Sequence, residues 1–375
     1  MMAVLEEHLG YLSLPHRLDC YRNAIAVALK LGDRVVDAGC GTGVLGLLCL
    51  QAGASYVDLI DSSPALELAK KSFFRAGWEG KAAFTNSSTF RAVLQQKADV
   101  VICDHVGCFG FDYGICGLLE DARSRLLKSG GVIIPRQMNL YIGAVESEKC
   151  KALTDQWQAA SIPAAFHWIR EMSVNTKHCV DLRPHELLST GSALGHIDFR
   201  AKNVNFFSWH ARLAIQRDGV FHGLAGWFEC ELAEGVVMTN SPLSDRSIGR
   251  AQAFLPIDGA VRMKRGDAVN VTIMARPDDN LIAWTVEHPA SGKRFSHSTW
   301  QGEMIDSAEL VRSRPDYVPK PNRSADARQV VLSYCDGKQS VAQVQEAVMR
   351  DHPHLLPSRG EIFRFVSTVL RRDTR

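Results

Sequence analysis

The sequence predicts an α/β fold, in which a doubly wound, Rossmann-like domain is followed by an all-β, barrel-like domain and a small helical domain. Up to about residue 135, apolar strand-like runs alternate with helical runs, which is typical of a parallel sheet covered by helices. From about 136 to 315 the pattern changes to short alternating strands. A basic, proline-rich linker at 312–324 then leads to amphipathic helices. The predicted domains are therefore 1–135, 136–315 and 316–375.

The first domain contains five predicted strands and at least three helices. The strands are RVVDAGC, YVDLID, AAFTNSS, DVVICD and GGVII. The helices are VLGLLCLQAGA, LELAKKSFFRAGW and LLEDARSRLL. Pro135 follows the fifth strand and marks the end of the domain.

The second domain is predicted from strands that are shorter and more polar. They are NLYIGAVES, NVNFFSWHARLAI, HGLAGWFECEL, GVVMTNS, DAVNVTIMAR and LIAWTVEH. The segment CKALTDQWQAASI, 150–162, is helical in pattern and interrupts them. About three helices follow the linker, with Ser340 as an N-cap and a turn at Asp336-Gly337.

The amino-acid composition is that of a globular protein. The 375 residues are 46% hydrophobic and 22% charged, and the formal net charge is +2. These values are typical of a globular protein and give no argument for a nucleic-acid or anionic-membrane surface. With no apolar run near the length of a membrane span and no signal peptide, a cytoplasmic location is expected. The ten cysteines form no CxxC pair, so we expect buried free thiols and neither a metal site nor disulfides.

The segment VVDAGCGTG predicts a nucleotide-cofactor pocket, because a strand runs through a glycine turn into a helix. Gly39, Gly41 and Gly43 allow a tight turn and a close approach of a ligand. Asp61 ends the next strand, 18 residues after Gly43, where an acid takes the ribose hydroxyls. The turn is not a GxGxxG dinucleotide fingerprint. Asp37, two residues before the first glycine, suits an ammonium group and favours S-adenosylmethionine.

A second pair of acids brackets the loop DHVGCFGFD. Asp104 ends its strand and Asp112 closes the loop, so both are expected near the cofactor crevice. Two carboxylates could hold a planar guanidinium and orient its nitrogen toward the methyl carbon. Taken alone, the pair would be better explained by solvated acids that cap turns.

Taken in order, these motifs resemble the protein arginine methyltransferase family over residues 5–310. His8, Arg17 and the Tyr21-Arg22-Asn23 run are similar to its N-terminal cofactor-covering helix, and DHVGCFGFD stands at its double-glutamate loop. ARSRLLKSGGVIIP, GVFHGLAGWFECEL and TNSP are similar to later segments of the family.

The resemblance implies roles for further residues. Arg17 would hold the cofactor carboxylate and Asp61 the ribose, with Ser62, Ser88 and Thr89 completing the cofactor contacts. It also implies a homodimer formed through a helical arm near 148–185.

Three departures concern the acceptor side. Both glutamates of the acidic loop are aspartates, which sets each carboxylate back by about 1.3 Å, and the loop is one residue shorter. The family's Thr-His-Trp loop corresponds to Ser247-Ile248-Gly249. We therefore expect an N-methyltransferase, with Asp104 and Asp112 as catalytic residues, that acts on a guanidine or amine of a small molecule or peptide in biosynthesis. The alternative is a catalytically weak cofactor-binding scaffold or sensor.

The C-terminal segment LSYCDGKQSVAQVQEAV resembles the helical part of PqqD-like peptide-binding domains over about 30 residues. A helical appendage that only packs is the competing interpretation. A nucleic-acid-binding role is disfavoured, because basic residues alternate with acids such as Asp336, Glu346 and Glu361.

Overall fold

The computed structural model describes residues 2–374, and side chains from residue 5 onward. The chain forms two compact units, residues 1–303 and 304–375. The predicted boundaries at 135 and 315 remain predictions.

The first unit begins with helices α1 (Met2–Leu12) and α2 (Arg17–Ala28), followed by a five-stranded parallel sheet. Its strands are β1 (Arg34–Ala38), β2 (Tyr56–Asp61), β3 (Ala82–Asn86), β4 (Ala98–Ile102) and β5 (Leu127–Ile134). The helices between them are α3 (Val44–Gln51), α4 (Ala65–Arg75) and α5 (Ile115–Arg125). The strand order is β3-β2-β1-β4-β5, which confirms the doubly wound prediction.

Two antiparallel sheets follow. The first contains β6 (Gln137–Val145), β7 (His178–Val180), β8 (Ser192–Asp198), β10 (Gly219–Ala233), β11 (Val236–Thr239) and β12 (Gln252–Met263). The second contains β9 (Phe207–Ala214), β13 (Ala268–Arg276), β14 (Leu281–His288) and β15 (Lys293–Ser298). Between β6 and β7, at the predicted arm, lie α6 (Glu148–Asp155) and α7 (Ile169–Val174).

A continuous apolar core joins the parallel sheet to the antiparallel sheets. Val36 and Ile60 on the parallel sheet, and Leu224 and Ile273 on the antiparallel sheets, belong to one cluster of buried residues. The loops at the carboxyl ends of β1, β2 and β4 are therefore anchored on a common support.

The second unit is helical, as predicted. It contains α8 (Ser307–Arg312), α9 (Arg323–Ser333), α10 (Val341–Asp351) and α11 (Arg359–Asp373). Ser340 caps α10 in a capping box with Gln343, and Val331, Val348 and Ile362 form the centre of its own apolar core.

The expectation that every cysteine is a free thiol is wrong for two of them. Cys108 and Cys179 form a disulfide, with their Cα atoms 6.1 Å apart and a separation of 71 positions in sequence. Cys108 lies in the acidic loop after β4, and Cys179 lies on β7. The pairing of distant segments that brings them together leaves no local signal in the sequence.

Candidate active site

A crevice opens at the carboxyl ends of the central strands of the parallel sheet. β1 lies between β2 and β4, so the strand order reverses there, and ligands bind at such positions in open α/β sheets. Asp37, Asp61 and Asp104 lie at or just beyond the ends of these three strands and all line the crevice.

The glycine turn after β1 forms the floor of the crevice. Gly39 and Gly41 have φ angles of 70° and 53°, a region that strongly favours glycine. A Cβ on Gly39 would lie 2.1 Å from Nε2 of His105, and one on Gly41 would lie 2.7 Å from Cε1 of His8. Two imidazole rings therefore lie directly on the turn, and they can approach the backbone this closely only because Cβ atoms are absent.

Asp61 braces the same turn. Its Oδ2 accepts the Gly41 N–H at 2.7 Å, and its Oδ1 accepts the Ser63 N–H at 2.7 Å. Each carboxylate oxygen has a second lone pair, so the side chain retains acceptor capacity toward the crevice.

Asp37 is buried, and its Oδ2 accepts the Gly46 N–H at 2.8 Å. Burial raises the pKa of Asp37 to about 7, and the nearby Asp61 adds to the rise, whereas the Gly46 hydrogen bond opposes it. The crevice thus contains a carboxyl group poised to lose its proton near neutral pH.

Two cavities, each of about 280 Å³, share the rim formed by Gly39, Asp61, Ser62, His105 and Tyr113. The first is lined by seven predicted site residues: Arg17, Asp37, Gly39, Gly41, Asp61, Ser62 and Asp104. The second is lined by Ser88 and Thr89 in addition to three of these. Gly43 lines neither cavity, because it packs toward Leu59 and Phe73 in the protein interior.

Asp104 is the centre of a buried ion-pair network. Its Oδ2 accepts Nε and Nη2 of Arg17, both at 2.6 Å, and Nη2 of Arg250 at 3.3 Å, while Oδ1 accepts the Tyr21 hydroxyl at 2.8 Å. Burial alone would raise the pKa of Asp104, but Arg250 and Arg17 outweigh it and hold the pKa below its usual value. Asp104 is therefore ionised and already paired with two cations.

Asp112 is placed differently from the expectation. Its carboxylate lines neither cavity, is fully buried and accepts hydrogen bonds from Lys177 Nζ and, at 2.9 Å, from the Phe109 N–H. The structure does not bring Asp104 and Asp112 together as a free pair facing the crevice. The catalytic role of both acids stays a prediction.

Sequence reasoning identified Arg17 but missed two other cations, Arg250 and Lys177. Arg250 directly follows the Ser247-Ile248-Gly249 loop, so its position was signalled by the neighbouring motif but its charge was not considered. Its guanidinium also lies 5.4 Å from the ring centre of Tyr11. Lys177 had no such signal, since it lies 65 residues from Asp112 in an unmarked segment.

Two family models match successive segments of the chain. Residues 17–145 match the model of the methyltransferase small domain, and residues 136–287 match that of the arginine methyltransferase oligomerization subdomain. The two segments overlap and together span residues 17–287.

Two relatives align with most of the chain. Protein arginine N-methyltransferase 1 of Dictyostelium discoideum is 26% identical over 267 residues, which cover 69% of this chain and 78% of the relative. Arginine N(omega)-methyltransferase of Streptomyces achromogenes subsp. streptozoticus is 25% identical over 267 residues, which cover 70% of this chain and 74% of the relative.

Solved structures share the fold. The PRMT1 enzyme-prozyme heterotetrameric complex with AdoHcy of Trypanosoma brucei aligns with a TM-score of 0.67 at 19% identity, covering 76% of this chain and 94% of that one. Protein arginine methyltransferase 10 of Arabidopsis thaliana aligns with a TM-score of 0.64 at 18% identity, and the alignment covers 77% of this chain and 96% of that one.

Proposed function

We propose that this chain, a protein arginine methyltransferase-like class I S-adenosylmethionine-dependent methyltransferase, methylates a guanidine or amine nitrogen of a small molecule or peptide in a biosynthetic pathway. One observation carries the proposal. The cofactor half of the crevice has its expected acids and glycines, whereas the acids of the acceptor half are paired with cations of the chain itself.

The residues of the crevice fit the cofactor. Asp61 retains acceptor capacity for ribose hydroxyls, and Asp37 is a buried carboxylate for the ammonium group. Arg17 can donate to the carboxylate, and Gly39 and Gly41 keep the turn free of Cβ atoms, beside the imidazole rings of His105 and His8. When bound, S-adenosylmethionine supplies an electrophilic methyl group, and these residues fix its orientation.

The acceptor end must position a nitrogen for attack. Asp104 and Asp112 can orient a cationic acceptor only when their present partners are exchanged for it. An arginine-rich protein tail gains no long-range attraction either, because the net charge is +2. Both points favour a small or dedicated acceptor over a polybasic tail.

The test is methyl transfer by the purified protein with isotopically labelled cofactor. Free arginine, small guanidines, alkyl amines and a histone-type arginine-rich peptide are compared, with Asp61→Ala as a control in which cofactor binding is weakened. We expect a higher kcat/KM for a small acceptor. A higher kcat/KM for the histone-type peptide than for every small acceptor would contradict the proposal.

A second candidate function is a cofactor-binding scaffold or sensor. The neutralised acids favour it, because neither carboxylate is free to hold an acceptor in the described part of the chain. S-adenosylhomocysteine binding without turnover of any acceptor would support this alternative.

We further propose that the protein is a homodimer. Phe166 and Trp168 in the predicted arm are 51% and 55% exposed, so two large apolar side chains two positions apart are available for a contact between copies. Light scattering should show a dimer that Phe166→Asp or Trp168→Asp converts to a monomer. A wild-type monomer at micromolar concentration would contradict it.

The helical second unit is proposed to recruit a peptide acceptor. Its support is the weak PqqD-like resemblance and exposed apolar side chains such as Val341 and Phe363.

No helix within residues 2–374 is both long and apolar enough to cross a membrane. The cytoplasmic location remains a proposal.

A further inference from the structure

The acidic loop already contains a cation that belongs to the chain. Lys177 Nζ donates to Oδ2 of Asp112, whose other oxygen accepts the Phe109 N–H. The side chain of Asp112 has no exposed surface and that of Lys177 is 17% exposed, so the pair is largely shielded from water. The ammonium lies on the carboxylate that an incoming acceptor cation would need.

A second link holds the same two segments together. The disulfide between Cys108 and Cys179 joins the acidic loop to β7. Asp112 lies four positions after Cys108, and Lys177 lies two positions before Cys179. The loop and the strand are therefore connected at two nearby points, and the position of Lys177 beside Asp112 is built into the fold.

The other acid of the loop is in the same condition. Asp104 pairs with Arg17 and Arg250, and the Arg250 side chain is 8% exposed. Nε of Arg250 has no hydrogen-bond partner within the described residues. Each carboxylate of the loop is thus already paired with a cation of the chain, and within the described residues Lys177 has Asp112 as its only ion-pair partner.

An acceptor with only a positive charge would be a poor match. If its guanidinium took Asp112, Lys177 would lose its partner in a place where water reaches it little, and a buried charge without a partner is unfavourable. An acceptor that also carries a carboxylate avoids this loss. Its cation pairs with Asp112 and its carboxylate pairs with Lys177, so one buried ion pair is exchanged for two.

We propose that Lys177 is a specificity-determining residue that binds the carboxylate of a zwitterionic acceptor, such as a free amino acid. The inference rests on the proposed function, since it concerns the acceptor of the same methyl transfer. A peptide with a C-terminal carboxylate presents the same chemistry, and the assay below separates the two sources.

The test uses acceptors that differ only in the carboxylate. L-Arginine is compared with L-argininamide, L-ornithine with ornithinamide, and a peptide ending in arginine with its C-terminally amidated form. We expect the wild-type kcat/KM for the free amino acid to exceed that for its amide by about ten-fold or more, mainly through KM. Preference for the peptide carboxylate alone would assign the peptide as the source.

Variants at Lys177 test the residue itself. Lys177→Gln should reduce the ratio between acid and amide to below about two-fold, while Lys177→Arg, which keeps the charge, should retain most of it. Melting temperature and S-adenosylhomocysteine affinity serve as controls for folding. If the single variant is unstable, the double variant Lys177→Gln/Asp112→Asn, which removes both charges, is tested by calorimetry with its S-adenosylhomocysteine complex. It should bind L-arginine and L-argininamide with affinities that differ by less than about two-fold.

Equal wild-type rates for acid and amide would overturn the inference and leave the proposed function intact. A preference that Lys177→Gln does not change would overturn the role of Lys177. If no acceptor is methylated, the proposed function fails. Calorimetry with the S-adenosylhomocysteine complex then decides the inference separately, because it requires L-arginine to bind more tightly than L-argininamide.

Discussion

Asp37 makes cofactor affinity dependent on pH near neutrality. Burial raises the pKa of this carboxyl to about 7, and only its ionised form offers a negative charge to the cofactor ammonium. Below the pKa, binding must first remove a proton. The apparent affinity for S-adenosylhomocysteine should therefore rise as pH rises through about 7.

The magnitude follows from the ionised fraction. With a pKa of about 7, roughly one molecule in eleven is ionised at pH 6 and roughly ten in eleven at pH 8, so the affinity should differ about ten-fold. This corresponds to about 1.4 kcal/mol.

Titration calorimetry at several pH values measures the effect. Asp37→Asn removes the titrating group while keeping an oxygen that can accept the Gly46 N–H, so its weaker binding should change much less between pH 6 and 8. Burial lowers the pKa of His105, and the ionisation of this ring also depends on pH in the crevice. The comparison of wild type with Asp37→Asn separates the effect of Asp37 from that of His105. Equal wild-type affinity at pH 6 and 8, or the same slope in the variant, would refute the reasoning.

Stability without cofactor should change in the opposite sense. Because the folded-state pKa of Asp37 lies above its unfolded value of about 3.9, the folded protein binds this proton more tightly. Its contribution to the free energy of unfolding is fully present below about pH 4 and is lost as pH rises toward 7. Asp37→Asn should remove that part of the pH dependence.

Three further predictions concern separate parts of the chain. Asp61→Ala should weaken S-adenosylhomocysteine binding by about 2 to 4 kcal/mol, because it removes charge-assisted hydrogen bonds, and calorimetry showing unchanged affinity would contradict its role. Asp104→Asn should lower the free energy of unfolding by about 3 to 5 kcal/mol because it leaves Arg17 and Arg250 without their anion, whereas the exposed Asp245→Asn should change it little in the same denaturation assay. Deletion of residues 316–375 should raise KM for a precursor peptide and spare a small acceptor, while an equal loss for all acceptors would indicate a role in packing only.

The cofactor half could be predicted because its chemistry is local. Asp37 and the glycines lie in one strand-turn-helix segment, and Asp61 ends the next strand, which pairs with the first in parallel register. Adjacent parallel strands present their carboxyl ends at one edge, so sequence order alone brings these residues together.

The strands of the two antiparallel sheets were harder to predict from the sequence. β12 was missed although it pairs with β10 over much of its length. It contains Pro256 and Gly259, which argue against a strand interior, and its register with β10 shifts between Phe221 and Gly223. Tertiary packing outweighs local preference there.

The acceptor half could not be predicted because its partners are distant in sequence. Asp104 receives Arg17 from 87 residues upstream and Arg250 from 146 residues downstream. Isolated loop acids show no sign of such pairing. The sequence therefore gives no sign that Asp104 holds two buried guanidinium groups and contributes to stability.

The same network connects the two halves of the site. Arg17 uses Nε and Nη2 on Asp104, while its Nη1 makes only a long contact of 3.4 Å with the Tyr11 carbonyl. Nη1 is thus the group left to donate to a cofactor carboxylate, and Asp104 sets its direction by holding the rest of the guanidinium. Because Asp104 fixes Arg17, a substitution of this acid should reduce cofactor affinity as well as stability. The acid predicted to act on the acceptor is then also a positioning residue for the cofactor.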